Sequence, residues 1–232
     1  MELAIDTSSA LASVALASRG EVVGELTWQT GRNHTAHLLP NLVHILGLAG
    51  VGVESLEGII IAQGPGSFNG LRVGMSTAKG LAFALGVPLV GIGTLEAEAY
   101  PHAYTGLPLC PLFDAGRGEI ATATFQRRKG QWLKLQEERL TTLEELCAHT
   151  RRRTVFCGQV SPVAARLRET LGPRAMIPDG AALLRRAGAL AELGWLRLRD
   201  GDRDDPATLQ PLYLRRPSIT IAKSTERERR VP

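Results

Sequence analysis

The chain has 232 residues, 44% of them hydrophobic and 22% charged, with a net charge of +4; this is room for one large domain or two modest ones of ordinary globular composition. Cys110, Cys147 and Cys157 are odd in number and share no CxxC spacing, which argues against a disulfide framework or a zinc knuckle and fits a reducing cytoplasm. The start MELAIDTSS has an acid where a secretion signal needs basic residues, and no segment is long and apolar enough to span a bilayer, so a cytoplasmic location without membrane contact is expected.

In chain order, ELAID reads as a short apolar strand, Asp6-Thr7-Ser8-Ser9 as a polar turn, and Leu11 to Leu16 as an alternating strand. A third strand, EVVGELTWQT, follows the Arg19-Gly20 turn. The period then changes. Leu38, Leu42, Ile45 and Ala49 recur at helical spacing up to Gly50, a C-cap residue, with Pro40 either in the first turn or at a kink. LEGIIIAQ reads as a buried strand, Ser67 to Leu85 as a helix, VPLVGIG as a strand and TLEAEAYPHA as a short helix. The order β-β-β-α-β-α-β-α describes an α/β architecture with a mixed sheet.

The opening pattern returns in LPLFDAGRGEIATATFQ, where Asp114 stands as Asp6 stood before a tight turn and an alternating strand. RTVFCGQV then reads as a strand, SPVAARLRETLG as a helix, RAMIPD as a short strand and AALLRRAGALAELGWLRLRDG as one amphipathic helix ending at Gly201. The predicted division is a first lobe at 1–105, a second at 106–222 and a disordered basic tail at 223–232. In such a duplicated fold the two Asp turns face each other across a cleft, where an anion or nucleotide would sit.

The glycine-rich stretch GPGSFNG fails three phosphate-loop templates. No Lys-Ser/Thr pair follows Gly70, the glycine spacing is one residue too wide for GxGxxG, and Gly66 adjoins Ser67 instead of preceding it by two. Bare N–H groups at a helix N-terminus with Ser67 as N-cap remain, and they suit either a real phosphate contact or a purely structural strand-to-helix turn. The candidate cleft residues are Asp6, Thr7, Ser8, Gly64, Gly66, Ser67 and Asp114.

Along the following helix Gly70, Gly74, Ala78 and Ala82 form a ridge with hardly any side chain, and Arg72 and Lys79 are its only charges. A helix with so small a polar face is either sandwiched inside the domain or meets a partner chain, and for a helix outside a sheet the partner is the expectation. The candidate interface is Leu39, Leu46, Gly70, Arg72, Gly74, Met75, Ala78, Lys79 and Ala82. His34, His37 and His44 fall near one helix face, but without HExxH spacing or a Cys, Asp or Glu in that helix they do not make a metal site. The basic runs at 127–129, 151–153 and in the tail read as solvated surface charge, the alternative being a weak contact with nucleic-acid phosphates, and no interleaved aromatics build a stacking platform.

LAIDTSSALASVAL, GRNHTAHLLP, GPGSFNGLRVGMSTAKGLAFALGVPLVGIGTLEA, FDAGRGEI and PLYLRRP together resemble the TsaB (YeaZ) family over nearly the whole chain. The resemblance implies an actin-like, sugar-kinase-like ATPase fold of two RNase H-like lobes. It also implies a part in making N6-threonylcarbamoyladenosine beside the anticodon of tRNAs that read codons beginning with A. In that family the catalytic subunit is the paralogue TsaD; the TsaB subunit is its non-catalytic partner, TsaE is an ATPase that joins them, tRNA is met through the complex, and homodimers form when the paralogue is absent. The paralogue's metal-binding histidine pair falls here on Thr94 and Glu98, so no metal and no catalytic residue are expected, and no cofactor in the isolated chain; ATP or ADP at the assembled interface is compatible. The family's Asp-Ala-Arg-Arg reads Asp114-Ala115-Gly116-Arg117, one charge fewer. The alternative function is an ATP-dependent kinase or ATPase working through Asp6 and GPGSFNG. A protease reading lacks both a zinc ligand set and a nucleophile with a spaced base.

Overall fold

The computed structural model describes residues 1–31 and 33–215; the tail assigned to 223–232 lies outside the described residues, as does the end of the second predicted lobe. The first half supplies β1 (Glu2–Asp6), β2 (Leu11–Ser18), β3 (Glu21–Gln29), α1 (His34–Ala49), β4 (Gly58–Gly64), α2 (Phe68–Leu85), β5 (Leu89–Gly93) and α3 (Thr94–Ala99). The second supplies β6 (Leu109–Gly116), β7 (Glu119–Arg128), β8 (Gln131–Thr141), α4 (Leu143–His149), β9 (Thr154–Gly158), α5 (Ala164–Leu171), β10 (Ala175–Met176) and α6 (Ala187–Arg199).

Each half builds one five-stranded mixed sheet, ordered β3-β2-β1-β4-β5 and β10-β9-β6-β7-β8. Read from the centre, the two orders are the same: an antiparallel meander of three strands, then two parallel strands beyond the first. The duplication expected from the two Asp turns is therefore a duplication of whole lobes. Both turns even close alike, with Ser8 N donating to Asp6 Oδ1 at 2.9 Å and Gly116 N donating to Asp114 Oδ1 at 2.8 Å.

The strand period explains how the first sheet is covered. Leu3 and Ile5, with Ile59 and Ile61 beside them, face α1 and α2 and pack on Leu38, Leu42, Ile45, Met75 and Ala78. Ala4, Ala15, Ala17 and Ile60 take the other face and pack on Leu190, Ala191 and Leu193 of α6. Small residues on that face let α6 lie close: a Cβ at Gly194 would overlap Ile60. In the second sheet Leu112 and Phe156 pack on Leu146 and Leu167, from α4 and α5, while Leu109 and Phe125 pack on Leu95 and Ala99 of α3.

Two expectations change here. Residues 106–222 do not form one lobe, because α6 crosses back to β1, β2, β3 and β5 of the first sheet. Nor is 181–201 one helix: a 3-10 turn at Gly180–Leu183 gives way to extended backbone at Arg186 before α6 starts. The reason is burial. Arg185 is drawn into the seam between the lobes, and a continuous helix would carry it elsewhere. The sequence pattern does not mark β8, since register shifts in the β7–β8 pairing break the alternation of a strand, and α4, only seven residues long, is marked by its Thr142–Glu145 capping box alone.

Candidate functional site

The two Asp turns do meet across an interlobe cleft of about 650 Å³, lined by Ser9, Gly66 and Ser67 from the first lobe and Asp114, Arg117 and Gln159 from the second. Tyr213 closes one side, tilted against Phe68 at 5.2 Å between ring centroids. Arg72 lies over the Phe68 ring at 3.9 Å and also donates to the Tyr213 hydroxyl at 3.4 Å. Of the predicted cleft residues, Gly66, Ser67 and Asp114 line this space, and Asp6, Thr7, Ser8 and Gly64 do not. Gly64, at φ 120°, serves the segment above it instead, since a Cβ there would press on the Leu212 carbonyl, whose amide bonds Gln63 O at 2.8 Å.

Asp6 is committed inside the protein. Arg185, 6% exposed at its side chain, reaches it through Nη1, 3.2 Å from Asp6 Oδ2, and reaches Glu98 of α3 through Nε, 2.7 Å from Oε1. The same Nη1 donates to Ser8 Oγ, and Ser8 Oγ donates to Asp6 Oδ1 at 2.6 Å. One guanidinium thus binds two carboxylates and one hydroxyl in a buried seam. Burial holds the Glu98 carboxyl above the ordinary range, outweighing the pull of Arg185, while the two carboxylates keep the Arg185 guanidinium more firmly protonated than usual. Sequence reading named neither Arg185 nor its bond to Glu98, because Arg185 lies 179 residues from Asp6 in a stretch patterned like a surface helix.

The GPGSFNG loop is equally occupied. Ser67 N donates to Ser8 O at 2.6 Å, and Ser67 caps α2 by accepting from Gly70 N at 3.3 Å. A Cβ at Gly66 would meet the Ser8 backbone, so this loop is keyed to the first Asp turn. A magnesium nucleotide in an actin-like site would need a free carboxylate at the first turn, and Asp6 is bonded by Ser8 and Arg185, while at the loop Ser67 N is bonded to the first turn and Gly70 N to Ser67 Oγ. The residues present do not fit that group.

The ridge of small residues on α2 is also explained internally, and its assignment to a partner interface is corrected. Gly70, Gly74, Met75, Ala78 and Ala82 are buried against the chain's own sheet. A Cβ at Gly70 would overlap the Thr7 carbonyl and one at Gly74 the Thr7 hydroxyl, which donates to Gly70 O at 2.8 Å. The bare ridge admits the first turn. The outer face of α2 is formed by Arg72, Ser76, Gly80 and Phe83; Leu39 on α1 is exposed, and Leu46 and Lys79 are half-buried. His34 is buried with Nε2 2.8 Å from Ser9 O, and His37 bonds Thr30. Gly116 sits at φ 71° beside Arg117 at φ 58°, a left-handed position that glycine takes without strain.

A family model described as "TsaD: tRNA N6-adenosine threonylcarbamoyltransferase" matches residues 19–223. The tRNA threonylcarbamoyladenosine biosynthesis protein TsaB of Bacillus subtilis is 30% identical over 217 residues, covering 92% of this chain and 93% of that protein. The chain belongs to the TsaB family. Its solved relative YeaZ from Pseudomonas aeruginosa superposes with a TM-score of 0.78 at 25% identity, covering 92% of this chain and 99% of that one. The activator of 2-hydroxyisocaproyl-CoA dehydratase from Clostridium difficile, solved with bound ADPNP, superposes at a TM-score of 0.52 and 10% identity, covering 86% and 96%. That likeness is one of fold alone, and it shows the TsaB-family chain to have the actin-like ATPase fold. The TsaB family takes part in tRNA threonylcarbamoyladenosine biosynthesis.

At the two positions where the resemblance puts the transferase's histidines, Thr94 is buried with its hydroxyl unpartnered, and Glu98 is tied to Arg185. Among the described residues no three His, Cys, Asp or Glu side chains gather as a metal site, and no helix is long and apolar enough to cross a membrane.

Proposed function

We propose that this TsaB-family chain is a non-catalytic scaffold and activator in the formation of N6-threonylcarbamoyladenosine beside the anticodon of tRNAs that read codons beginning with A. It docks on the transferase paralogue TsaD through the outer faces of α1 and α2. The observation that carries this is apolar exposure: Leu39, Val43 and Leu48 on α1 and Phe83 on α2 are 55%, 71%, 68% and 89% exposed on helices that pack side by side. Each such side chain gains about 1.5–3 kcal/mol when fully covered, so together they supply a hot-spot cluster for a partner chain. Leu39 and Arg72 keep their place in this interface, with Leu46 and Lys79 at its edge; the small-residue ridge does not.

The same face serves a homodimer when TsaD is absent. TsaE joins the assembly, tRNA is met through it, and the isolated chain holds no cofactor of its own; ATP or ADP belongs at the assembled interface. The work is cytoplasmic. The direct test is modification of a tRNA transcript by TsaD and TsaE with and without this chain. The expected result is activity only in its presence; full activity without it refutes the proposal.

The runner-up, ATP-dependent phosphoryl transfer through Asp6 and GPGSFNG, draws support from the size of the cleft and none from Asp6, which Arg185 already holds. ATP–Mg turnover by the isolated chain that disappears with Asp6→Ala would reverse the ranking.

A further inference from the structure

The arginine runs at 127–129 and 151–153 read separately as ordinary surface charge. The fold brings them to one place. Arg128 at the end of β7, Arg139 on β8, His149 at the end of α4, and Arg151 and Arg152 just beyond it line a groove of about 290 Å³ on the second lobe, with Leu135 in its wall. It shares no lining residue with the interlobe cleft. No Asp or Glu lines it.

Among the described residues none of these four arginines is paired with a carboxylate, unlike Arg166, Arg168, Arg186, Arg197 and Arg199; Arg117, Arg127, Arg153 and Arg203 are unpaired too, but do not line this groove. Neutral groups hold two of them instead. Arg128 Nε donates to Gln126 Oε1 at 2.6 Å and Arg139 Nη1 donates to Gln136 Oε1 at 2.7 Å, which fixes the forks without cancelling their charge. His149 spends Nδ1 on the Glu145 carbonyl at 2.7 Å and keeps Nε2 in reserve. Uncompensated guanidiniums gathered in one groove repel one another, an arrangement that favours the folded chain only once an anion lies among them.

We infer that this groove binds the phosphodiester backbone of RNA, the tRNA that the assembly modifies; the identity of the RNA rests on the function proposed above. Guanidinium forks match phosphate oxygens in pairs, which point-charge lysines do not. No Phe, Tyr or Trp lines the groove, so it lacks both the aromatic anchor of a protein interface and a stacking platform for bases. Backbone contact of this kind positions the RNA and reads no sequence.

The test is the affinity of the full chain, assembled with its transferase paralogue, for a tRNA transcript that reads codons beginning with A, across a salt series. The triple variant Arg128→Gln/Arg151→Gln/Arg152→Gln is expected to bind at least tenfold more weakly at low salt, with the slope of log affinity against log salt flattened by about two. All three side chains are exposed, and the melting temperature is expected to hold or rise. The control Arg166→Gln/Arg168→Gln/Arg199→Gln removes equal charge from carboxylate-paired positions and is expected to change affinity less than threefold. Unchanged tRNA binding by the groove variant, as a groove made for an acidic protein would give, overturns the inference, and so does an equal loss in the control. Modification at saturating tRNA in the same mixture separates the two proposals: a groove variant with unchanged affinity that still activates refutes the groove alone, while a wild-type chain that gives no activation refutes the scaffold role.

Discussion

Asp6 on β1 and Glu98 on α3 approach the same buried seam, and Arg185 between them carries the charge that keeps two buried carboxylates tolerable. Replacing Arg185 with Met is expected to cost about 3–5 kcal/mol at neutral pH, because Glu98 is left buried without a partner and Asp6 keeps only its bonds from Ser8. Burial already raises the Glu98 carboxyl, and without Arg185 its folded-state pKa would lie further above the unfolded one, so the folded variant would bind more protons than its unfolded chain. Its deficit against the wild type should therefore shrink as pH falls from 7 toward the unfolded carboxylate range of about 4. Urea melts at pH 7 and pH 5 check this, and an equal deficit at both would contradict it. Burial acts on the thiols as well. Cys110 is pushed up to about 11 and Cys157 well above its usual value, so neither carries appreciable thiolate at pH 8. Iodoacetamide should leave both unmodified in the native chain and label them in denaturant.

At the scale of elements, α2 separates two kinds of glycine. Gly74→Ala puts a methyl against the Thr7 hydroxyl and is expected to cost about 1–3 kcal/mol, whereas Gly80 has nothing within 4 Å and Gly80→Ala should gain about 0.5–1 kcal/mol through helix propensity. Denaturant midpoints with unchanged slopes would show both signs; a harmless Gly74→Ala would return the ridge to the surface. Phe83→Asp, at a site 89% exposed, should fold normally and lose co-elution with TsaD. The ridge was visible in the sequence, but a bare stripe fits a close approach of any neighbour, and periodicity does not say whether that neighbour is a foreign helix or the chain's own first turn. The caps were plainer. Ser67 and Gly50 stand where their chemistry places them, with Ser67 accepting from Gly70 N and Gly50 in the left-handed conformation. The 131–141 strand failed as a signal because bulged pairing scatters its apolar residues over both faces, whereas α4 opens with a legible capping box at Thr142 and Glu145.

At the scale of the whole molecule, the duplication was legible because both lobes open with the same strand, Asp turn and strand, and equal topology follows from equal local grammar. What sequence could not convey is long-range: α6 returning to the first sheet, Arg185 entering the seam just ahead of it, and two distant arginine runs meeting in one groove. Together they describe an actin-like body whose first Asp turn is bonded to the following loop and to Arg185, and the function proposed above places its work on its surfaces. The most direct measurement of that claim is the rate of tRNA threonylcarbamoylation by TsaD and TsaE as this chain, wild type or Val43→Asp/Phe83→Asp, is titrated in. The expected result is a rate that follows the fraction of TsaD bound, with the variant's curve shifted to at least tenfold higher concentration; a variant that stimulates at wild-type concentrations without binding TsaD would contradict it.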